Sequence, residues 1–183
     1  MANIGEDICG DYLNHILGCE FVSYNVTNPD IQGEIDVIGI EIEKRTLYLC
    51  EVATHTGGLQ YVTDKRPDDY NWFYSKFQKN IDYAKKYFSD FNVELMLWSP
   101  VVKIQGESAK YNTYQELIRL QDDIKRNFNL KLELVINENY HKRFNQLRDY
   151  AGQNSSMFQS PVMRLLQIEE NLNNHVEKLN LKN

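Results

Sequence analysis

Two acidic residues, Asp36 and Glu51, interrupt otherwise apolar runs, EIDVIGI and LYLCEVA. A carboxylate inside a buried strand is costly unless something compensates it. Only a short polar connection, Glu43-Lys44-Arg45, separates the two runs, so they are expected to pair as a hairpin. Side by side, the strands can bring both carboxylates together. Two carboxylates at one place repel, and a cation that neutralises both relieves the repulsion. Hard oxygen donors at a sheet edge suit Mg²⁺ or Mn²⁺. The spacing alone is also met by carboxylates that face solvent at a strand end or pair with an arginine, and these are the commoner outcomes.

The elements that position the pair are read from periodicity. Residues 3–17 carry Ile4, Ile8, Tyr12, Leu13 and Ile16 at helical spacing, with Asn3 as N-cap and Gly18 as terminator. Strands follow at 20–26, 33–42 and 46–54, with a turn at Asn28-Pro29-Asp30. From His55 to Asp69 periodicity is lost, and Gly57-Gly58, Pro67 and a cluster of charges mark a long loop. A helix over 70–89 presents Phe73, Phe77, Ile81, Ala84 and Phe88 on one face. A strand at 92–98 and a loop at 101–112 lead to a helix over 113–128. Thr113 is its expected N-cap, with Glu116 three residues on as in a capping box. A strand at 130–136 and helices over 138–151 and 159–179 complete the chain. The last helix is amphipathic through Val162, Leu165, Leu166, Ile168 and Leu172. A hairpin followed by helix–strand alternation implies an α/β fold, with a mixed central sheet flanked by helices and extra helices at the C-terminus.

With 183 residues, 42% of them hydrophobic, a single domain can bury a core without disulfides or a structural metal. Cys9, Cys19 and Cys50 are odd in number and lack metal-ligand spacing, which argues against a disulfide framework and a zinc module. The opening MANIGEDICGDYL has neither a basic nor an apolar leader region, and no apolar run is long enough to span a membrane. A cytoplasmic protein with no membrane partner is the expectation. The net charge of −6 argues mildly against nonspecific nucleic-acid binding. It leaves room for a local basic surface from Lys65, Arg66, Lys76, Lys79, Lys85 and Lys86, although Lys85 and Lys86 read as a solvated helix face. No P-loop, GxGxxG or GxSxG pattern is present.

The run Gly33-Glu34-Ile35-Asp36-Val37-Ile38-Gly39, a short hairpin, then Leu49-Cys50-Glu51-Val52-Ala53-Thr54 resembles the core of the PD-(D/E)xK nuclease superfamily. The likeness is to its restriction-endonuclease-like and Holliday-junction-resolvase-like branch, where a GEID(V/L)I strand precedes a (V/C)EVKT strand. Gly5-Glu6, Tyr12-Leu13, Gly18 and Asn25 fit the preceding helix and strand. The resemblance covers residues 3–98, an αβββαβ core, and is much weaker over 99–183. It implies that Asp36 and Glu51 are ligands of Mg²⁺ or Mn²⁺, with the carbonyl of Val52 as a third. Glu6 would approach the metal directly or through water. Glu34 lies on the same strand face as Asp36 and would be either an outer residue of the site or an exposed strand end.

The resemblance also implies a lysine two residues after the glutamate, where this chain has Ala53. Nucleases of this kind can carry that lysine on the next helix. Lys76, beside the inward Phe77, is the first candidate and Lys79 the second, because alanine leaves room for a long flexible stem. A solvated helical lysine is about as common an outcome for each. His55 and Gln60 are candidate substrate contacts beside the site, while Trp72 and Phe73 read as rim and core. The expected activity is endonucleolytic hydrolysis of DNA, with a homodimer through the C-terminal helices presenting two sites. The alternative is an inactive nuclease-fold domain that binds DNA or protein.

Overall fold

The computed structural model describes residues 3–28, 31–106 and 109–180. Helix α1 (Ile4–His15) leads into three antiparallel-linked strands, β1 (Phe21–Asn28), β2 (Ile31–Glu41) and β3 (Thr46–Val52). Helix α2 (Asp69–Tyr87), strand β6 (Asn92–Ser99), helix α3 (Thr113–Phe128) and strand β7 (Leu132–Ile136) follow. Two two-residue strands, β4 (Val62–Thr63) and β5 (Arg66–Pro67), lie between β3 and α2. Helices α4 (Asn137–Gln153) and α5 (Pro161–Asn180) end the described chain.

The main sheet has the order β1-β2-β3-β6-β7. Its first two pairings are antiparallel, and β3-β6 and β6-β7 are parallel. The fold is therefore α/β around a mixed five-stranded sheet. Helices α2 and α3 are the crossovers of the parallel part, and their apolar faces meet Leu47, Leu49, Leu95, Leu97 and Leu132 in one buried layer. On the other side, α1, α4 and α5 pack with Val37, Cys50, Met96, Trp98 and Val135 in a second layer. Because strand side chains alternate, Asp36, Ile38 and Ile40 of β2 face the same way as Leu47, Leu49 and Glu51 of β3. That way is toward α2.

The expected element order is present, with every boundary moved by at most two residues. The loop over 55–69 differs, because it contains the β4–β5 hairpin. Asp64 and Lys65 both have positive φ (49° and 65°) and form its two-residue turn. Asn112, not Thr113, caps α3: its side chain accepts from the Gln115 amide, while the Thr113 hydroxyl is engaged by Asp69. Gly18 has the left-handed φ of 80°, but lies two residues beyond the C-cap Ile16. Of the turn at Asn28-Pro29-Asp30, the last two residues lie outside the described ones. The apolar set expected on the last helix divides between two faces. Val162 and Leu166 are buried, whereas Leu165, Ile168 and Leu172 are exposed. All three cysteines are free and buried. Among the described residues, no helix is long and apolar enough to cross a membrane.

Candidate functional site

Val37 pairs with Cys50 and Ile38 with Leu49, so the next step of the register sets Asp36 opposite Glu51. Both side chains are buried: Glu51 is 0% exposed and Asp36 6%. The α2 face above them is apolar at Phe73, Phe77, Ile81 and Ala84, with two polar exceptions, Lys76 and Asn80, one helical turn apart. These two meet the carboxylates. Lys76 Nζ lies 3.1 Å from Asp36 Oδ1 and also donates to Glu51 Oε2. Asn80 Nδ2 donates to Glu51 Oε1 at 2.7 Å. The backbone amide of Val52 donates to Asp36 Oδ2 at 2.8 Å. Sharing one ammonium keeps the two carboxylates within about 6 Å of each other.

The strand position after Glu51 and Val52 explains the arrangement. Ala53 is 3% exposed and packs in the layer beneath α2. The cation beside the carboxylates comes from Lys76 on the helix, and the strand itself carries Ala53. Lys76 is 28% exposed, which leaves one side of it open to a groove of about 340 Å³. Trp72, Asn71, Ser75, Thr63 and Lys79 also line that groove.

The electrostatics follow from burial. Removal from water is the largest cause raising the Glu51 pKa, and the neighbouring Asp36 adds to it. Lys76 and Asn80 oppose these effects, and the net result is a carboxyl pushed up to about 8. For Lys76, burial alone would lower the pKa, but Glu51 and Asp36 outweigh it and keep the ammonium above its ordinary range. The carboxylate pair thus already holds one cation.

The remaining candidates are spread around this pair. Lys79 lies on the groove wall, and its Nζ would be 3.9 Å from a Cβ at Gly33 of β2. Val52 reaches Asp36 through its amide, whereas the resemblance implied a role for its carbonyl. Glu6 is engaged in a capping box with Asn3, and its Oε2 also accepts from Asn25 Nδ2 at 3.1 Å. Its helix nonetheless touches the motif strand, since Gly5 packs against Val52 and Thr54. Glu34 and Gln60 are exposed. His55 sets its ring edge-on to Tyr61, which stacks on Trp72 at 4.7 Å, and of these rings Trp72 lines the groove.

Two further residues complete the site. Asn80, 1% exposed, is a polar break in an apolar stripe four residues after Lys76, a pattern legible in the sequence. Asp69, also buried, accepts from the Tyr61 amide at 2.7 Å and the Thr113 hydroxyl at 2.9 Å, and so fixes the loop wall to α2 and α3. No sequence spacing links those three residues.

Asp36 and Glu51 offer only oxygen donors and converge on a cation, which fits a hard divalent ion. Among the described residues, no group of three or more His, Cys, Asp or Glu side chains is placed to hold a metal ion. Any such ion would therefore take only two side-chain ligands from this cluster. Comparison with protein-family models, with curated proteins and with solved structures gave no significant match.

Proposed function

We propose that the chain is a metal-dependent nuclease of the PD-(D/E)xK type, hydrolysing phosphodiester bonds of DNA at Asp36 and Glu51. The observation that carries this reading is the single ammonium of Lys76 held between the two buried carboxylates. It supports a motif lysine displaced from strand to helix. Apart from the short β4–β5 hairpin, the order α1-β1-β2-β3-α2-β6 is compatible with the αβββαβ core that the resemblance implies, and so supports this reading.

Asp36 and Glu51 would hold Mg²⁺ or Mn²⁺, which supplies Lewis-acid polarisation of a phosphate and a lowered pKa for a bound water. The chain's own residues do the rest. The Val52 amide and the Asn80 side chain fix the two carboxylates in orientation. Lys76 stands at the mouth of the groove on a flexible stem. There it orients the attacking water and offsets negative charge that develops on the phosphate. Lys79 adds a second positive group along the wall. Trp72 offers an exposed ring beside them, suited to stacking on a base. A second copy of the chain would bring a second site for the other strand.

A second reading is a domain of the same fold that binds DNA or protein without cutting. Ala53 at the motif-lysine position and the net charge of −6 favour it. Cleavage of plasmid DNA with Mg²⁺ or Mn²⁺ separates the two. The nuclease reading expects metal-dependent nicking that Asp36→Ala or Glu51→Ala abolishes and Lys76→Ala reduces by at least about a hundredfold. Undiminished cutting by both carboxylate variants would overturn the mechanism. Binding without cutting by the wild type would favour the second reading.

A further inference from the structure

Helix α5 carries two apolar faces. Val162, Met163 and Leu166 face the core. Leu165, Ile168, Leu172, Val176 and Leu179 are each 44–67% exposed. At 3.6 residues per turn, these five fall within about 80° of arc, a continuous stripe along the helix. From residue 171 to 180, every position is exposed. This half of the helix projects from the domain with no packed face. An isolated stretch of that length is marginal as a helix in water, because most helical stability comes from packing.

The spacing of the stripe identifies what covers it. Around Leu172 the apolar residues lie at −7, −4, +4 and +7, which is a palindrome. A two-fold interface must be self-complementary, with the same patch on each copy. An antiparallel pairing centred on Leu172 sets Leu165 against the partner's Leu179 and Ile168 against the partner's Val176. Leu172 meets its own counterpart on the axis. The nearest neighbours, Asn171, Asn173 and Asn174, are uncharged, so no like charges meet at the centre. The five side chains expose about 500 Å² per copy, or about 1,000 Å² for two, which with flanking polar atoms reaches the range of a stable dimer.

We infer that the chain forms a two-fold homodimer by reciprocal exchange of α5 arms. Each projecting half-helix lies antiparallel on the partner's Leu165–Ile168 surface. This pairing does not depend on the nuclease reading.

The full chain, of 21.6 kDa, tests this by sedimentation velocity at about 10–50 μM. The expected result is a species of twice that mass. Leu172→Glu is expected to give a monomer with unchanged near-ultraviolet circular dichroism, because Leu172 is an exposed residue of the projecting half. Register is tested by oxidative cross-linking. Leu172→Cys is expected to cross-link to itself, and a Leu165→Cys/Leu179→Cys double variant between copies. Leu165→Cys alone is expected to stay uncross-linked. A wild-type monomer at these concentrations, a dimer that survives Leu172→Glu, or self-cross-linking of Leu165→Cys would each overturn the proposal.

Discussion

Lys76→Met keeps the apolar stem and removes the ammonium from between Asp36 and Glu51. Deleting one partner of a buried charge cluster leaves the others uncompensated and costs about 3–5 kcal/mol. For a chain of this length that is a fall in Tm of roughly 6–20 °C. The loss depends on pH in a defined direction. The folded-state pKa of Glu51 lies above its ordinary value, pushed up to about 8 by burial and by Asp36. The stability linked to this shift is fully present below the ordinary carboxylate range and is lost as pH rises through about 8. In the variant the attraction of Lys76 no longer opposes the rise, so ionising Glu51 becomes costlier still. The gap between wild type and variant should therefore stay nearly constant from pH 5 to pH 7 and widen as pH passes through about 8. Urea unfolding at pH 5, 7 and 9, followed by tryptophan fluorescence, reads this directly. A gap that stays constant over that span, or no loss at all, would refute the placement of the ammonium between the carboxylates.

Other consequences follow from the same geometry. Glu51→Gln removes the ionisation, so its Tm should change less between pH 5 and 9 than that of wild type; an unchanged slope would exclude Glu51 as the source. Asp69→Ala leaves the Tyr61 amide without its acceptor and the Thr113 hydroxyl with only the longer 3.4 Å contact to the Leu59 carbonyl, at a cost of about 1–3 kcal/mol. Hydrogen exchange should then quicken over 55–68 more than in the central sheet. Gly10→Ala would place a Cβ 2.1 Å from the Tyr24 hydroxyl, so α1 or the ring must move, and a loss of about 1–3 kcal/mol in urea unfolding is expected.

Much of the site was legible because charge in an apolar strand is conspicuous. Asp36 and Glu51 broke their alternation, and a hairpin register was enough to place them opposite each other. The placement of Lys76 beside the carboxylates was legible by subtraction. Ala53 removed the bulk and the charge from the strand, and α2 was the next element able to return both. Asn80 carried the same kind of signal, a polar residue in the Phe73–Ala84 stripe, but it reads as an isolated exception until its partner Glu51 is in view. Glu6 shows local chemistry competing with a distant role: three residues after Asn3, it closes a capping box. Asp69 was not legible, since its partners lie 8 and 44 residues away in sequence. The β4–β5 hairpin turns through Asp64-Lys65, without the glycine that usually marks such a turn. Helical periodicity on α5 was visible, but a window of spacing merges two apolar faces that burial separates.

The carboxylate pair as a divalent-cation site is tested most directly by Mn²⁺ titration followed by electron paramagnetic resonance. Wild type should bind one ion per chain. Asp36→Ala and Glu51→Ala should each lose that ion, and Lys76→Met should bind it more tightly, because the competing ammonium is gone. Equal Mn²⁺ binding by wild type and the Asp36→Ala/Glu51→Ala double variant, or no binding by wild type, would contradict the site.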